Sequence, residues 1–179
     1  MAQFYALAPG VEVNGAAVLS VVRGMVAFED MALGILAAHG IVAPKEGEWY
    51  PQQAWLDAFR EIAERIGGST LKTIGRSIPN TALWPPDVDT IEKALASIDV
   101  AYHLNHRGGE IGHYVLVETA PRSAKMVCGN PYPCQFDLGI IEATAKKFAP
   151  RGVSPLVRHD DTQECRNTGG ESCTYNISW

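Results

Sequence analysis

Apolar residues recur at helical spacing through most of the first hundred positions. Asn14 can accept a hydrogen bond from the free N–H groups that open a helix. Behind it Val18, Val22, Met25, Phe28, Met31 and Ile35 form one stripe, which Gly40 stops. Pro51 suits a first helical position, and Trp55, Phe59, Ile62 and Ile66 come after it at steps of four, three and four. Gly67-Gly68 ends that helix. A shorter helix is predicted over 70–77 with Leu71 and Ile74 on its buried side. Pro79, Pro85 and Pro86 keep it from continuing into the loop Ala82-Leu83-Trp84. Asp89 with Glu92 three residues on resembles a capping box, and Ile91, Leu95 and Ile98 supply the face behind it.

The period then shortens. Residues 101–107 and 111–117, joined by Gly108-Gly109, read as a hairpin, and 125–128 as a third strand. Phe136, Ile140, Ile141, Thr144 and Phe148 mark a late helix that Pro150 and Gly152 terminate. Residues 156–165 and 173–179 read as two strands joined by Asn167-Thr168-Gly169-Gly170. Helices first and hairpins later define an α+β fold. An N-terminal helical layer packs on an antiparallel sheet, and the late helix is succeeded by a C-terminal β-hairpin.

Length and charge narrow the classes. The chain has 179 residues, 46% of them hydrophobic, and a net charge of −5. That size suits a single domain over 1–179, with 1–100 mostly helical and 101–179 rich in sheet. The acidic balance argues against a nucleic-acid partner, and no apolar run reaches the length of a membrane span. Residues 1–10 lack the basic start of a secretory signal, so the expected location is cytoplasmic.

The chemistry concentrates late. All four cysteines, Cys128, Cys134, Cys165 and Cys173, fall in the C-terminal third. Cys165 and Cys173 are placed symmetrically about Gly169 and would face each other across a hairpin neck; Cys134 sits where a strand gives way to a helix. Two such pairs could surround a tetrahedral zinc ion. The spacing leaves other readings open: free core cysteines, a Cys165–Cys173 disulfide, or Cys134 as a nucleophile whose thiol a helix N-terminus activates.

The run Cys134-Gln-Phe-Asp-Leu-Gly139-Ile-Ile is succeeded by Cys165-x-x-x-Gly169-x-x-x-Cys173-x-Tyr175. This pattern resembles the 4-vinyl reductase domain, whose superfamily includes haem nitric-oxide-binding domains and subunits of the TRAPP tethering complex. The resemblance implies a zinc-containing sensor region like that of phenol-responsive activators, which often dimerise. There zinc is held by three cysteines, matching Cys134, Cys165 and Cys173, and a glutamate. Thr162 stands at the glutamate position here, between Asp161 and Glu164, so Cys128 is the fourth ligand expected. Haem is not supported at this level: the Tyr-x-Ser-x-Arg motif of the nitric-oxide-binding domains is missing, and His39 lies near a helix end.

The remaining polar residues point to a small-molecule site. Trp84 in its loop, His106 and Arg107 on the hairpin, and Tyr114 opposite are the candidate contacts to a small hydrophobic or aromatic ligand. His113 could meet His103 or His106 across the turn. His159 and Asp161 share a strand face and are expected to touch the cysteine site from outside. The function expected is a ligand-binding sensory or regulatory domain, dimeric, with a structural zinc. One alternative is a small-molecule hydrolase or tetrapyrrole-related enzyme using a reactive cysteine; another is a protein-interaction module without ligand.

Overall fold

The computed structural model describes residues 3–82 and 84–179, which leaves Leu83 of the proline loop outside the described residues. Its first strand is β1 (Glu12–Asn14), and Asn14 caps the helix that comes next, its side chain accepting from Ala16 N at 2.8 Å. The long helix expected from 15 to 39 is broken into α1 (Gly15–Val18), α2 (Ser20–Gly24), a single 3-10 turn and α3 (Glu29–Ala38). Phe28 and Met31, counted in its stripe, are exposed, because the chain changes direction at Met25 and turns their faces outward.

The next helices keep to their stripes. After β2 (Trp49–Pro51), α4 (Gln52–Arg65) buries Trp55, Phe59 and Ile62, and Gly67, at φ 114°, stops it. The helix α5 (Gly68–Ser77) buries Leu71 and Ile74. In α6 (Ile91–Leu104) the cap is Thr90, whose hydroxyl accepts from Lys93 N at 3.2 Å. This helix corrects the expected first hairpin. Ile91, Leu95, Ile98 and Tyr102 continue one buried face, so residues 101–104 complete the helix rather than start a strand. The remainder is β3 (His106–Arg107), which pairs with β1, giving a small sheet in the order β2-β1-β3.

The larger sheet contains β4 (His113–Ala120), β5 (Ser123–Gly129), β6 (Leu156–His159) and β7 (Cys173–Ser178) in the order β4-β5-β7-β6, all antiparallel. The helix α7 (Cys134–Lys147) crosses between β5 and β6 and packs on α5. That crossing needs glycine on both sides. A Cβ on Gly75 would stand 2.2 Å from the Phe136 carbonyl, and one on Gly139 would stand 2.2 Å from the Lys72 carbonyl. The α+β class and the C-terminal strand pair are as expected. The pair is shorter, however: the ladder runs from Leu156↔Ser178 to His159↔Tyr175, and 160–172 is a loop with one 3-10 turn. Among the described residues no helix is long and apolar enough to cross a membrane.

Candidate functional site

Two neighbouring sites share the walls of this core. The first is an apolar chamber between the helices and β4. Trp55 from α4, Ile98, Ala101 and Tyr102 from α6, Phe136 and Ile140 from α7, and Tyr114 from β4 line it. Trp55, Phe59, Tyr132 and Phe136 form an aromatic cluster behind it, with ring centroids 4.7 to 6.1 Å apart. The chamber's open volume is about 50 Å3. Of the expected ligand contacts Trp84, His106 and Tyr114 do line it. Arg107 does not: it pairs with Glu12 at 2.6 Å and lies over the Trp49 ring on the surface.

His106 is the polar point of this wall. Its Nδ1 lies 2.8 Å from the Tyr102 carbonyl, which only accepts, so Nδ1 carries the proton and Nε2 the lone pair. The Tyr132 hydroxyl donates to that Nε2 at 2.6 Å and itself accepts from Gln52 at 3.0 Å. Burial pushes the imidazole down to about 4, so it is neutral at physiological pH. Two more lining residues hold buried polar atoms without a partner, Trp55 Nε1 and Asn105 Oδ1.

The second site gathers sulfur at the start of α7. One ligand atom each from Cys134, His159, Cys165 and Cys173 lies within 4.8 Å of all the others. The Sγ atoms of Cys134 and Cys173 are each 3.7 Å from that of Cys165. Tetrahedral zinc–thiolate bonds of about 2.3 Å would set sulfurs ~3.8 Å apart, which matches. His159 Nδ1 is 2.8 Å from Asp161 Oδ1, and its buried Nε2 has no hydrogen-bond partner. An imidazole oriented by a carboxylate on one nitrogen and left open on the other is the usual state of a metal-ligating histidine. The hydrogen bond from Cys134, the Arg166 charge and His159 push the Cys173 thiol down to about 3, against its burial. The same bond and burial push Cys134 up, the opposite of what an activated nucleophile needs. Burial pulls His159 down, but Cys173 and Asp161 outweigh it and the net shift is upward.

Three of these four groups were expected from the sequence. Cys128, the fourth ligand expected, is a buried core residue of β5 facing Cys173 across the ladder, outside the cluster. Cys165, expected to oppose Cys173 across a hairpin neck, does not: Cys128 holds that ladder position. Cys165 lies in the loop beyond His159 and returns through a Gly170 N–H bond to its carbonyl at 2.9 Å. Parity could have revealed His159: it opposes Tyr175, two residues from Cys173 on the same face of β7. Glu164 is occupied elsewhere, accepting from Glu171 N at 2.9 Å and the Ser172 hydroxyl at 2.8 Å.

A buried charge network, which no local pattern announces, joins the two sites. Arg166, next to Cys165, donates to Asp137, to Asn130, and to the Tyr132 carbonyl at 2.7 Å. Asp137, in the first turn of α7, is fully buried in this pair. It also accepts from the Tyr114 hydroxyl at 2.5 Å. Burial holds its carboxyl up at about 6 despite Arg166 and Tyr114. The cysteine loop therefore rests, through one guanidinium, on two residues beside the chamber.

No protein-family profile and no curated protein matches the sequence. Solved structures do match the fold. An H-NOX protein from S. oneidensis in the Fe(II)NO ligation state aligns with a TM-score of 0.67 and 15% identity, over 92% of this chain and 98% of that one. A point mutant of T. tengcongensis H-NOX gives 0.66 and 16%, over 92% and 96%. A structure described as modulating heme redox potential through protein-induced porphyrin distortion gives 0.63 and 15%, over 92% and 97%. The chain thus has the fold of H-NOX proteins. The 4-vinyl reductase and tethering-subunit likenesses rest on the cysteine motif alone. The expectation that haem lacks support is corrected at the level of the fold, because these neighbours are iron- and haem-containing proteins.

Proposed function

We propose that this chain is a small-molecule-binding sensory domain whose chamber takes the ligand and whose cysteine–histidine cluster holds a structural zinc. The H-NOX fold supports the sensory reading. The observation that carries the zinc is the orphaned Nε2 of His159 beside three sulfurs, with Cys165 at 3.7 Å from each of the other two. Sulfur with imidazole is the donor set of closed structural zinc sites, and zinc here supplies cross-linking rather than chemistry. It would tie the loop 160–172 to α7 and β7, and so hold Arg166 against Tyr132 and Asp137.

For the chamber, about 50 Å3 between apolar walls, with an unpartnered indole N–H and an unpartnered amide oxygen, suits only a molecule of a few heavy atoms, smaller than the aromatic ligand expected from the sequence. The fold's neighbours point instead to haem. The side chains as arranged here do not fit that group: about 50 Å3 is well below the roughly 150 Å3 that admits benzene. Among the described residues no lysine or arginine lines the chamber to meet propionates. Haem would enter only if the aromatic cluster parted.

Metal analysis of chelator-free protein tests the zinc, with haem titration alongside. One zinc per chain is expected, lost together with protein stability in Cys165→Ser and weakened in His159→Ala. Metal-free, stable protein whose Cys134 and Cys165 thiols react freely would overturn it. A Soret band that grows to one haem per chain and shifts in His106→Ala would replace the small-ligand reading with the cofactor of the fold's neighbours.

A further inference from the structure

On the outer surface, apart from the cysteine–histidine cluster, two elements bring three metal-ligating groups together. Asp99 and His103 stand one turn apart on α6, and His113 opens β4. A carboxylate oxygen of Asp99 and one ring nitrogen of each histidine lie within 4.8 Å of one another. The imidazoles are 5.0 Å apart between centroids and tilted by only 31°. Asp99 Oδ2 is 3.3 Å from His113 Nδ1 and 3.6 Å from His103 Nδ1. Its other oxygen accepts the Tyr114 backbone N–H at 2.8 Å, which fixes the carboxylate with Oδ2 towards the two rings.

We propose that Asp99, His103 and His113 form a second, surface site for a divalent transition-metal ion. Imidazole with one carboxylate selects zinc, nickel or copper over calcium or magnesium, and the absence of sulfur separates this site chemically from the cluster. An i,i+4 pair on a helix presents two donors on one side, and the strand contributes the third. Bonds of about 2.0–2.1 Å at tetrahedral angles would set donor atoms ~3.3 Å apart. The three groups therefore need to draw in by no more than ~1.5 Å from their 4.8 Å limit, within reach of rotamer changes at surface side chains. These side chains are 31%, 42% and 56% exposed, so outer positions stay open to water; His103 Nδ1 donates to the Asp99 backbone carbonyl at 2.8 Å, which leaves its Nε2 as the ligand nitrogen.

Without a metal, the same contacts are exposed histidine–carboxylate pairs, which stabilise little. Bound metal would do more. It would close a chelate between α6 and β4 around residues 104–112, the segment that carries Asn105 and His106 to the chamber wall. A surface ion would then stiffen the ligand site from outside.

The test uses the full chain without an affinity tag, with its cysteines first supplied with one equivalent of zinc. Ni2+ is then titrated by calorimetry, and broadening of the histidine ring-proton resonances locates the paramagnetic ion. Saturation near one Ni2+ per chain is expected, with His103 and His113 broadened first. The His103→Ala/His113→Ala variant should lose that binding while keeping its fold and its zinc, and Asp99→Asn should weaken it at least about tenfold. Equal Ni2+ binding by wild type and double variant, or no saturable binding in the wild type, would overturn the proposal. Zinc content is read separately, so a failure of the cysteine site would not be mistaken for a failure of this one.

Discussion

The two sites flank the first turns of α7, yet different physics holds them. Around the chamber, shape dominates: Trp55, Phe59, Tyr132 and Phe136 pack at tilted and edge-on angles, contributed by a regular helix, a bend and a second helix. Around the cysteines, charge dominates. The loop 160–172 has one short 3-10 turn, and it is kept in place by Arg166 in a fully buried pair with Asp137, plus the sulfur cluster. An apolar wall spreads its stabilisation over many contacts, so no single group decides it. A buried ion pair concentrates it, because losing one partner strands the other charge out of water.

The sharpest way to break this comparison is Arg166→Met. It leaves Asp137 buried without its counter-charge and should destabilise by about 3–5 kcal/mol in chemical denaturation. Adding Asp137→Leu to the same chain should recover much of the loss, since two apolar groups leave no stranded charge. Equal destabilisation by the single and double variants would show that the network works by shape, like the chamber.

Titration gives the next largest effect. His106 is held neutral, with its folded value at about 4 against an ordinary 6.5. The unfolded chain takes up the proton first as pH falls, so stability from this group is complete above 6.5 and is lost on acidification towards 4. Between pH 7 and pH 5 the loss should be about 2 kcal/mol relative to His106→Gln. Asp137, whose folded carboxyl is held up at about 6, adds stability as it takes up its proton below that point and works in the opposite direction. The difference between wild type and variant therefore isolates the histidine better than either curve alone. Parallel curves for the two proteins would mean that His106 titrates normally.

The smallest effect sharpens the apolar side. Tyr132→Phe removes the hydroxyl between Gln52 and His106 while keeping the ring in the aromatic cluster. The expected loss is about 1–2 kcal/mol, from partners left unbonded rather than from packing. A loss as large as that of Arg166→Met would place Tyr132 in the charge network instead.

Legibility in the chain divides along the same line. Shape leaves a periodic trace, so α4, α5 and α7 could be read from their apolar stripes, with α4 stopping at Gly67 as expected. Periodicity misled where two periods overlap: Tyr102 and Leu104 suit a strand, yet Ile98 and Tyr102 continue the face of α6. It also missed the breaks between α1, α2 and α3, where Gly24 lies so close to Ile74 that a Cβ would stand 2.5 Å from its Cα. Such a contact is set by tertiary packing, not by local pattern. Charge leaves no period at all. Arg166 and Asp137 are 29 residues apart, and nothing local marks either as buried. The three cysteines stood out because the residue type is rare. His159 was placed only beside the site, because strand parity gives its face while its reach to the sulfurs depends on the pairing His159↔Tyr175.

X-ray absorption at the zinc edge tests the cluster most directly. The expected spectrum fits three sulfurs at about 2.3 Å and one nitrogen at about 2.0–2.1 Å, with the nitrogen lost in His159→Ala. Four sulfurs would bring Cys128 into the site against the geometry of β5, and a shell of light atoms only would remove zinc from these cysteines altogether.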